Sequence, residues 1–322
     1  MDRLTDLEHI RKRPGMYIGD TTKHGLDRIF VELLDNSIDQ FLAGTATSVT
    51  ASTSGESLEF SDDGPGLPFD QLCEGADSLA THHLTITRRN SPTADGHTPH
   101  IHLCGWGCGL RIVSALTETC VVTSCRDGNV WRQSFTKGIP DDSATIVSQD
   151  EAVGTTFHLT VDHEIFPHNW CQERLDRRLR YAAYLFPGFR VESPNLRFAA
   201  PRGLANMAAE FVNADDADNI WWYNESTEDM IIQASIAGTT DGETEWRAFA
   251  NGSTSIEQGT HLTALKQVVS ACKIKPAIAL VHVVMNNPRF AGPTKTVLDV
   301  PEILSPIYQA LKPSLEKFVS VA

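Results

Sequence analysis

Apolar residues recur at helical spacing in one stretch of the chain, and the rest of the pattern is arranged around it. Between Gly25 and Gly44, Leu26, Phe30, Leu33 and Phe41 fall on one face of a single amphipathic helix that Gly44 closes. Glu32, Asn36 and Asp39 lie four and three residues apart and share the other face. That face reads in two ways. It is either a solvated polar stripe, or a carboxylate base one turn from a carboxamide ligand. The second suits Mg²⁺, which takes few protein oxygens and keeps waters and phosphate oxygens.

Upstream, residues 6–19 predict a short helix broken at Pro14, then a turn into the main helix. Downstream, Ser48–Thr53 alternates like a strand and pairs across Ser54-Gly55-Glu56 with Ser57–Ser61. The second strand runs into Asp62-Asp63-Gly64-Pro65-Gly66-Leu67-Pro68. A carboxylate at a strand end can accept a hydrogen bond from an exocyclic amine such as adenine N6. Glycines two apart let the backbone approach a ligand closely. The same residues are also a common turn.

Residues 87–100 predict a long polar loop of the kind that serves as a lid. Its His97 and His100, with His102 beyond it and His82 and His83 upstream, complete no recognised metal spacing. Cys104-Gly105-Trp106-Gly107-Cys108-Gly109 then opens a helix. Unpaired amides at a helix start favour phosphate. This is neither a P-loop nor a dinucleotide fingerprint, because Gly-Lys-Ser/Thr and the preceding strand are both missing. Residues 119–138 predict strand, turn and strand, residues 154–161 another strand, and residues 170–186 an arginine-rich helix. The first half is therefore α+β, with strands in hairpins. Further on, Ile278–Val284 reads as a buried strand and residues 301–319 as a final amphipathic helix. Residues 196–218 read as a hinge ending in an acidic run.

Composition narrows the classes. A chain of 322 residues with 41% hydrophobic content has room for two cored domains. The net charge of −14 argues against gripping nucleic acid by bulk charge, so strong direct DNA binding is not expected. The polar start carries no signal peptide, and no apolar run reaches membrane-spanning length. Seven cysteines without a secretory signal fit reduced thiols in a cytoplasmic protein. Cys104 and Cys108 have no second pair at ligand spacing.

Five pieces stand together in order: Arg11-Lys-Arg-Pro-Gly-Met-Tyr-Ile-Gly-Asp20, Glu32-Leu-Leu-Asp-Asn-Ser-Ile-Asp39, Asp62-Asp-Gly-Pro-Gly-Leu-Pro68, Gly107-Cys-Gly109 with Val113-Ser-Ala-Leu116, and Gly154-Thr155. In this register the chain resembles the GHKL ATPases, nearest the B subunits of gyrase and topoisomerase IV. The resemblance implies a Bergerat-type two-layer α/β ATP-binding sandwich over residues 1–200. A smaller ribosomal-S5-like α/β transducer would follow over 201–322. ATP and Mg²⁺ are the implied ligands. By the same resemblance Glu32 is the general base, Asn36 the Mg²⁺ ligand, and Asp62 the reader of adenine N6, supported by Thr155. Gly64 and Gly66 form the pocket floor, Gly107 and Gly109 contact phosphates, and Arg132 stands at the pocket mouth. Gln258-Gly-Thr-His261 resembles a transducer segment. Gly292-Pro-Thr-Lys295 resembles the loop whose lysine reaches the γ-phosphate, which makes Lys295 a catalytic candidate.

Departures from the family pattern are specific. Pro65 replaces the usual arginine and Gln40 its glutamate partner, so both members of one ion pair are gone. Trp106 replaces a lid histidine and Pro293 a glutamine. Only about five residues precede the first helix, where the family's subunit-swapping arm would lie, and this bears on the implied homodimer. The chain stops after the transducer, so it is expected to act without its own DNA-cleavage module. Three function classes follow: an ATPase acting on a protein partner, an ATP-dependent enzyme on a small-molecule substrate, and a non-hydrolysing nucleotide-binding regulator of gyrase. Glu32 favours turnover over pure binding.

Overall fold

The computed structural model describes residues 5–73, 77–87, 103, 108–213, 219–254, 258–286, 288–291 and 297–321. The chain divides into two compact units. The first takes residues 1–99, 104–180 and 190–198, and the second takes 100–103, 181–189 and 199–322.

The first unit begins with α1 (Asp6–Lys12), started by a reciprocal cap. Glu8 N donates to the Thr5 hydroxyl at 3.2 Å while Thr5 N donates to Glu8 Oε2 at 2.9 Å. Pro14 then precedes α2 (Gly15–Ile18). Arg11 ties this segment down, donating to Ala115 O at 2.8 Å and to the fully buried Asp162 at 2.7 Å. The central helix is α3 (Lys23–Leu42), capped by Thr22 and left through Gly44 at φ +76°. Its polar face is not solvated: Glu32 and Asp39 are 3% and 7% exposed.

The remaining elements that begin in this unit are β1 (Ser48–Ser54), β2 (Ser57–Asp62), α4 (Leu79–Thr85), α5 (Gly109–Ala115), β3 (Thr117–Arg126), β4 (Asn129–Thr136), β5 (Ile139–Pro140), β6 (Thr145–Gln149), β7 (Gly154–Val161), α6 (Gln172–Leu185), β8 (Arg190–Ser193) and β9 (Leu196–Ala199). They form a nine-stranded sheet in the order β5-β4-β3-β7-β2-β1-β8-β9, with β6 also on β4. Asp127 and Gly128, at φ 50° and 76°, make the two-residue turn between β3 and β4. Residues read as the start of a hinge are instead β9. A turn at Pro194-Asn195, where Asn195 N donates to Ser193 Oγ at 3.2 Å, folds them back beside β8.

One face of the sheet carries the core. Leu58 and Phe60 of β2 stand opposite Leu159 and Phe157 of β7, which stand opposite Cys120 and Val122 of β3. All six are buried, and Phe30 of α3 meets Phe60 edge-to-face at 5.8 Å. One step along the same rows the apolar layer ends in Asp62, Thr155 and Ser124. That polar step is where the candidate site lies.

The second unit contains α7 (Leu204–Ala209), β10 (Ile220–Ser226), β11 (Met230–Ala237), β12 (Glu245–Ala250), β13 (Ser253–Thr254), β14 (Gln258–Gly259), α8 (Thr260–Ala271), β15 (Ile278–Met285), β16 (Val297–Leu298) and α9 (Leu304–Val321). Strands run β10-β11-β15-β12-β13, with β15 parallel to β12 and antiparallel to β11. The continuous apolar run of β15 fits a central strand covered on both faces. Val281 and Val283 share a core with Leu265 and Val268 of α8 and Ile307, Leu311 and Leu315 of α9.

Two histidines are sealed in this unit. Gly252 N donates to His282 Nε2 at 3.2 Å, so His282 Nδ1 carries the hydrogen and donates to Gln233 Oε1 at 2.8 Å. Among the described residues His261 has no hydrogen-bond partner at either ring nitrogen, and both histidines are 0% exposed. Burial pushes His261 down to about 4 and His282 down to about 3. The folded state therefore holds them neutral, while the unfolded chain protonates them near 6.5. Their contribution is intact above that value and is lost as pH falls toward 4, because the unfolded state then binds more protons. His261→Leu is expected to leave stability at pH 7 unchanged or raised. It should also remove up to roughly 3 kcal/mol of the loss on acidification to pH 4, read from urea unfolding across that range.

Candidate active site

Two turns of α3 bring several of the candidate residues together. Glu32 is buried, with Oε1 paired to Arg28 at 2.7 Å across one helical turn. Its Oε2 lies against the start of α5: a Cβ built on Gly109 would stand 2.7 Å from it. Gly109 thus makes room for the carboxylate. One turn on, Asn36 donates through Nδ2 to Glu32 O at 2.8 Å, which leaves Oδ1 to ligate a cation. A lone carboxamide oxygen on a half-buried surface fits a hard cation that keeps most of its waters.

The next residue, Ser37, joins α3 to the sheet by donating to Asp62 Oδ2 at 2.8 Å. Gly64 N donates to Asp62 Oδ1 at 3.0 Å. Burial pushes the Asp62 carboxyl up, and these bonds only partly oppose it. The neighbouring Asp63 goes the other way. Burial opposes its ionisation, but Thr47 and Ser48 donate four hydrogen bonds between them and hold it below the usual range. Two adjacent carboxylates therefore have separate tasks: Asp63 pins β1, and Asp62 faces the pocket end of the core layer.

Close backbone approach defines the floor. Gly66, at φ +77°, has Cys125 O 2.6 Å and Ser124 Oγ 2.9 Å from where a Cβ would sit. Gly154, at φ +138°, has Asp62 O only 2.3 Å from its own Cβ position. Thr155 is 5% exposed and stands directly opposite both Asp62 and Ser124. The altered ion pair is also accounted for. Gln40 accepts from Thr45 Oγ1 at 2.8 Å and packs 3.7 Å from the Cβ position of Gly64. Arg126 reaches the turn from the next strand, with Nη1 3.3 Å from Gly66 O and Nε 3.2 Å from Asp70.

Glu32, Asn36, Asp62, Gly64, Gly66, Gly109 and Thr155 therefore lie on adjoining pieces of the first unit. Arg132 does not join them. It pairs with Thr123, which pairs with Thr156, and that row shares the opposite sheet face with Ser61. Its side chain is exposed. Gly107 and Lys295 lie outside the described residues. Sequence reasoning gave no role to Arg28, Ser37 or Ser124, and named Gly154 only as part of a motif. Ser37 follows the Mg²⁺-ligand candidate directly, and Arg28 stands at i−4 from the base, so helical spacing carried a signal for both.

The fold is of the α+β class and resembles that of gyrase B ATPase domains. The relatives in sequence agree. DNA gyrase B of Clostridium acetobutylicum is 30% identical over 93% of this chain and 52% of the relative. That of Thermotoga maritima is 27% identical over 98% of the chain and 55% of the relative. The chain spans about half the length of the curated relatives it matches. Among solved structures, the 43K ATPase domain of Thermus thermophilus gyrase B matches with a TM-score of 0.80 and 25% identity, over 98% of this chain and 90% of that one. The topoisomerase IV ATP-binding domain of Francisella tularensis matches with a TM-score of 0.78 at 22% identity, over 99% and 93%, a likeness of fold. No family model matches the chain. Among the described residues no helix is long and apolar enough to cross a membrane.

Proposed function

We propose that the first unit binds ATP with Mg²⁺ and hydrolyses it; the similar gyrase B structure is named an ATPase domain. One observation carries this reading. A single stretch of α3 presents a buried carboxylate, a carboxamide oxygen and, through Ser37, the support of a second carboxylate at the sheet end. Asp62 accepts from adenine N6, with Thr155 beside it and Gly64 and Gly66 beneath. Glu32 orients the attacking water and takes its proton. Asn36 would hold Mg²⁺, which neutralises triphosphate charge when bound. Little covalent work falls to the protein: positioning and charge neutralisation drive phosphoryl transfer. Gly107 and Lys295 are assigned to the nucleotide by resemblance. Action on a protein partner in the cytoplasm, as a homodimer, belongs to the same reading. Released phosphate, measured with and without relaxed DNA, tests it. No turnover in either condition would leave a nucleotide-binding regulator.

The adenine contact has its own signature. Asp62 is pushed above its ordinary 3.8 by burial, and an N6 donor favours the ionised form. Nucleotide binding therefore expels a proton, and affinity rises with pH through the range in which the free, upshifted carboxyl ionises. Asp62→Asn should weaken a non-hydrolysable ATP analogue by roughly 1–3 kcal/mol and abolish that slope. Calorimetry in two buffers of different ionisation enthalpy reads both effects. Equal affinity in the two proteins would refute the contact.

A further inference from the structure

An anionic base beside a triphosphate presents an electrostatic problem, and the described residues contain an answer. Glu32 is almost inaccessible, with 4% of its side chain exposed, so water screens its charge poorly. Under the proposed function the γ-phosphate must come within one water of this carboxylate. Like charges one water apart in a poorly hydrated site repel strongly. Arg28 contacts the carboxylate at 2.7 Å, on the oxygen other than the one facing Gly109. Its own side chain is 35% exposed, which keeps the guanidinium cheap to hold charged.

We propose that Arg28 is a charge-compensating residue that sets the nucleotide selectivity of the site: by neutralising Glu32 it admits the γ-phosphate, and so favours ATP over ADP. The inference rests on the ATP-binding reading and assigns a role to a residue that no motif singled out. It also explains the division of the carboxylate. Oε1 is given to the cation and Oε2 is turned toward α5. A surface i,i+4 pair contributes only about 0.3–0.5 kcal/mol to helix stability. This pair has one buried member, so its consequence is larger for a bound anion than for the helix.

The test is a double-mutant cycle read by equilibrium binding, not turnover. Arg28→Ala, and separately Arg28→Gln, is titrated with a non-hydrolysable ATP analogue and with ADP, both with Mg²⁺. Either variant should lose roughly tenfold or more in analogue affinity and less than about threefold in ADP affinity. Adding Glu32→Gln to Arg28→Ala removes the negative charge that Arg28 offsets and should restore the analogue affinity. Retained ADP binding shows that the fold is intact. Equal losses for both nucleotides, or a double variant as weak as Arg28→Ala, would overturn the proposal. Failure of the parent protein to bind either nucleotide would instead refute the function on which it rests.

Discussion

Glu32→Gln should abolish phosphate release while ATP binding persists. The substitution keeps the side chain's size and its place against Gly109, where Oε2 now stands 2.7 Å from the Cβ position. What it removes is the charge that orients the attacking water and takes its proton. General-base catalysis contributes roughly 10²–10⁴-fold, so turnover should fall by that factor. Binding should hold or tighten, because the carboxylate repels the γ-phosphate in the ground state and acts usefully only in the transition state. Single-turnover phosphate release with analogue titration separates the two. Turnover at the parent rate would remove Glu32 from the mechanism and leave the pocket a binder.

The parts of this fold legible in the sequence were those written in spacing. The 3.6-residue period placed α3, and alternation around Gly55 placed the β1–β2 hairpin. Glycines marked Gly66 and Gly109, where the backbone or a carboxylate comes too near for a Cβ. What spacing did not carry was tertiary. A solvated-stripe reading turns Glu32 and Asp39 outward, yet both are buried, Glu32 against the start of α5. Ser37 matters through Asp62, twenty-five positions away, a separation no local pattern encodes. Arg132 depends on strand parity: a single step along β4 separates the face of Trp131 from its own. Residues 196–199, read as the start of a hinge, form β9, a strand of four residues, too short for its alternation to stand out.

Gly154→Ala should be the most damaging small substitution near the site. At φ +138° an alanine is strained before any contact is counted. Its methyl would also stand 2.3 Å from Asp62 O, a backbone atom. Asp62 has nowhere to move, because it is paired with Val49 of β1 on one side and Thr155 of β7 on the other. Either the strand end separates or the Asp62 carboxylate is carried out of line with Ser37 and Gly64. A cost of about 2–4 kcal/mol is expected, together with loss of nucleotide binding. Gly128→Ala is the matched control, at φ +76° with nothing within 4 Å of the new methyl. That substitution should cost only about 1 kcal/mol and leave binding intact. Urea midpoints and ATP-analogue titrations of the two variants make the comparison. If Gly154→Ala proved as mild as Gly128→Ala, the junction of β7 with β2 would be free to yield. The alignment of Asp62 would then have to come from Ser37 and Gly64 alone.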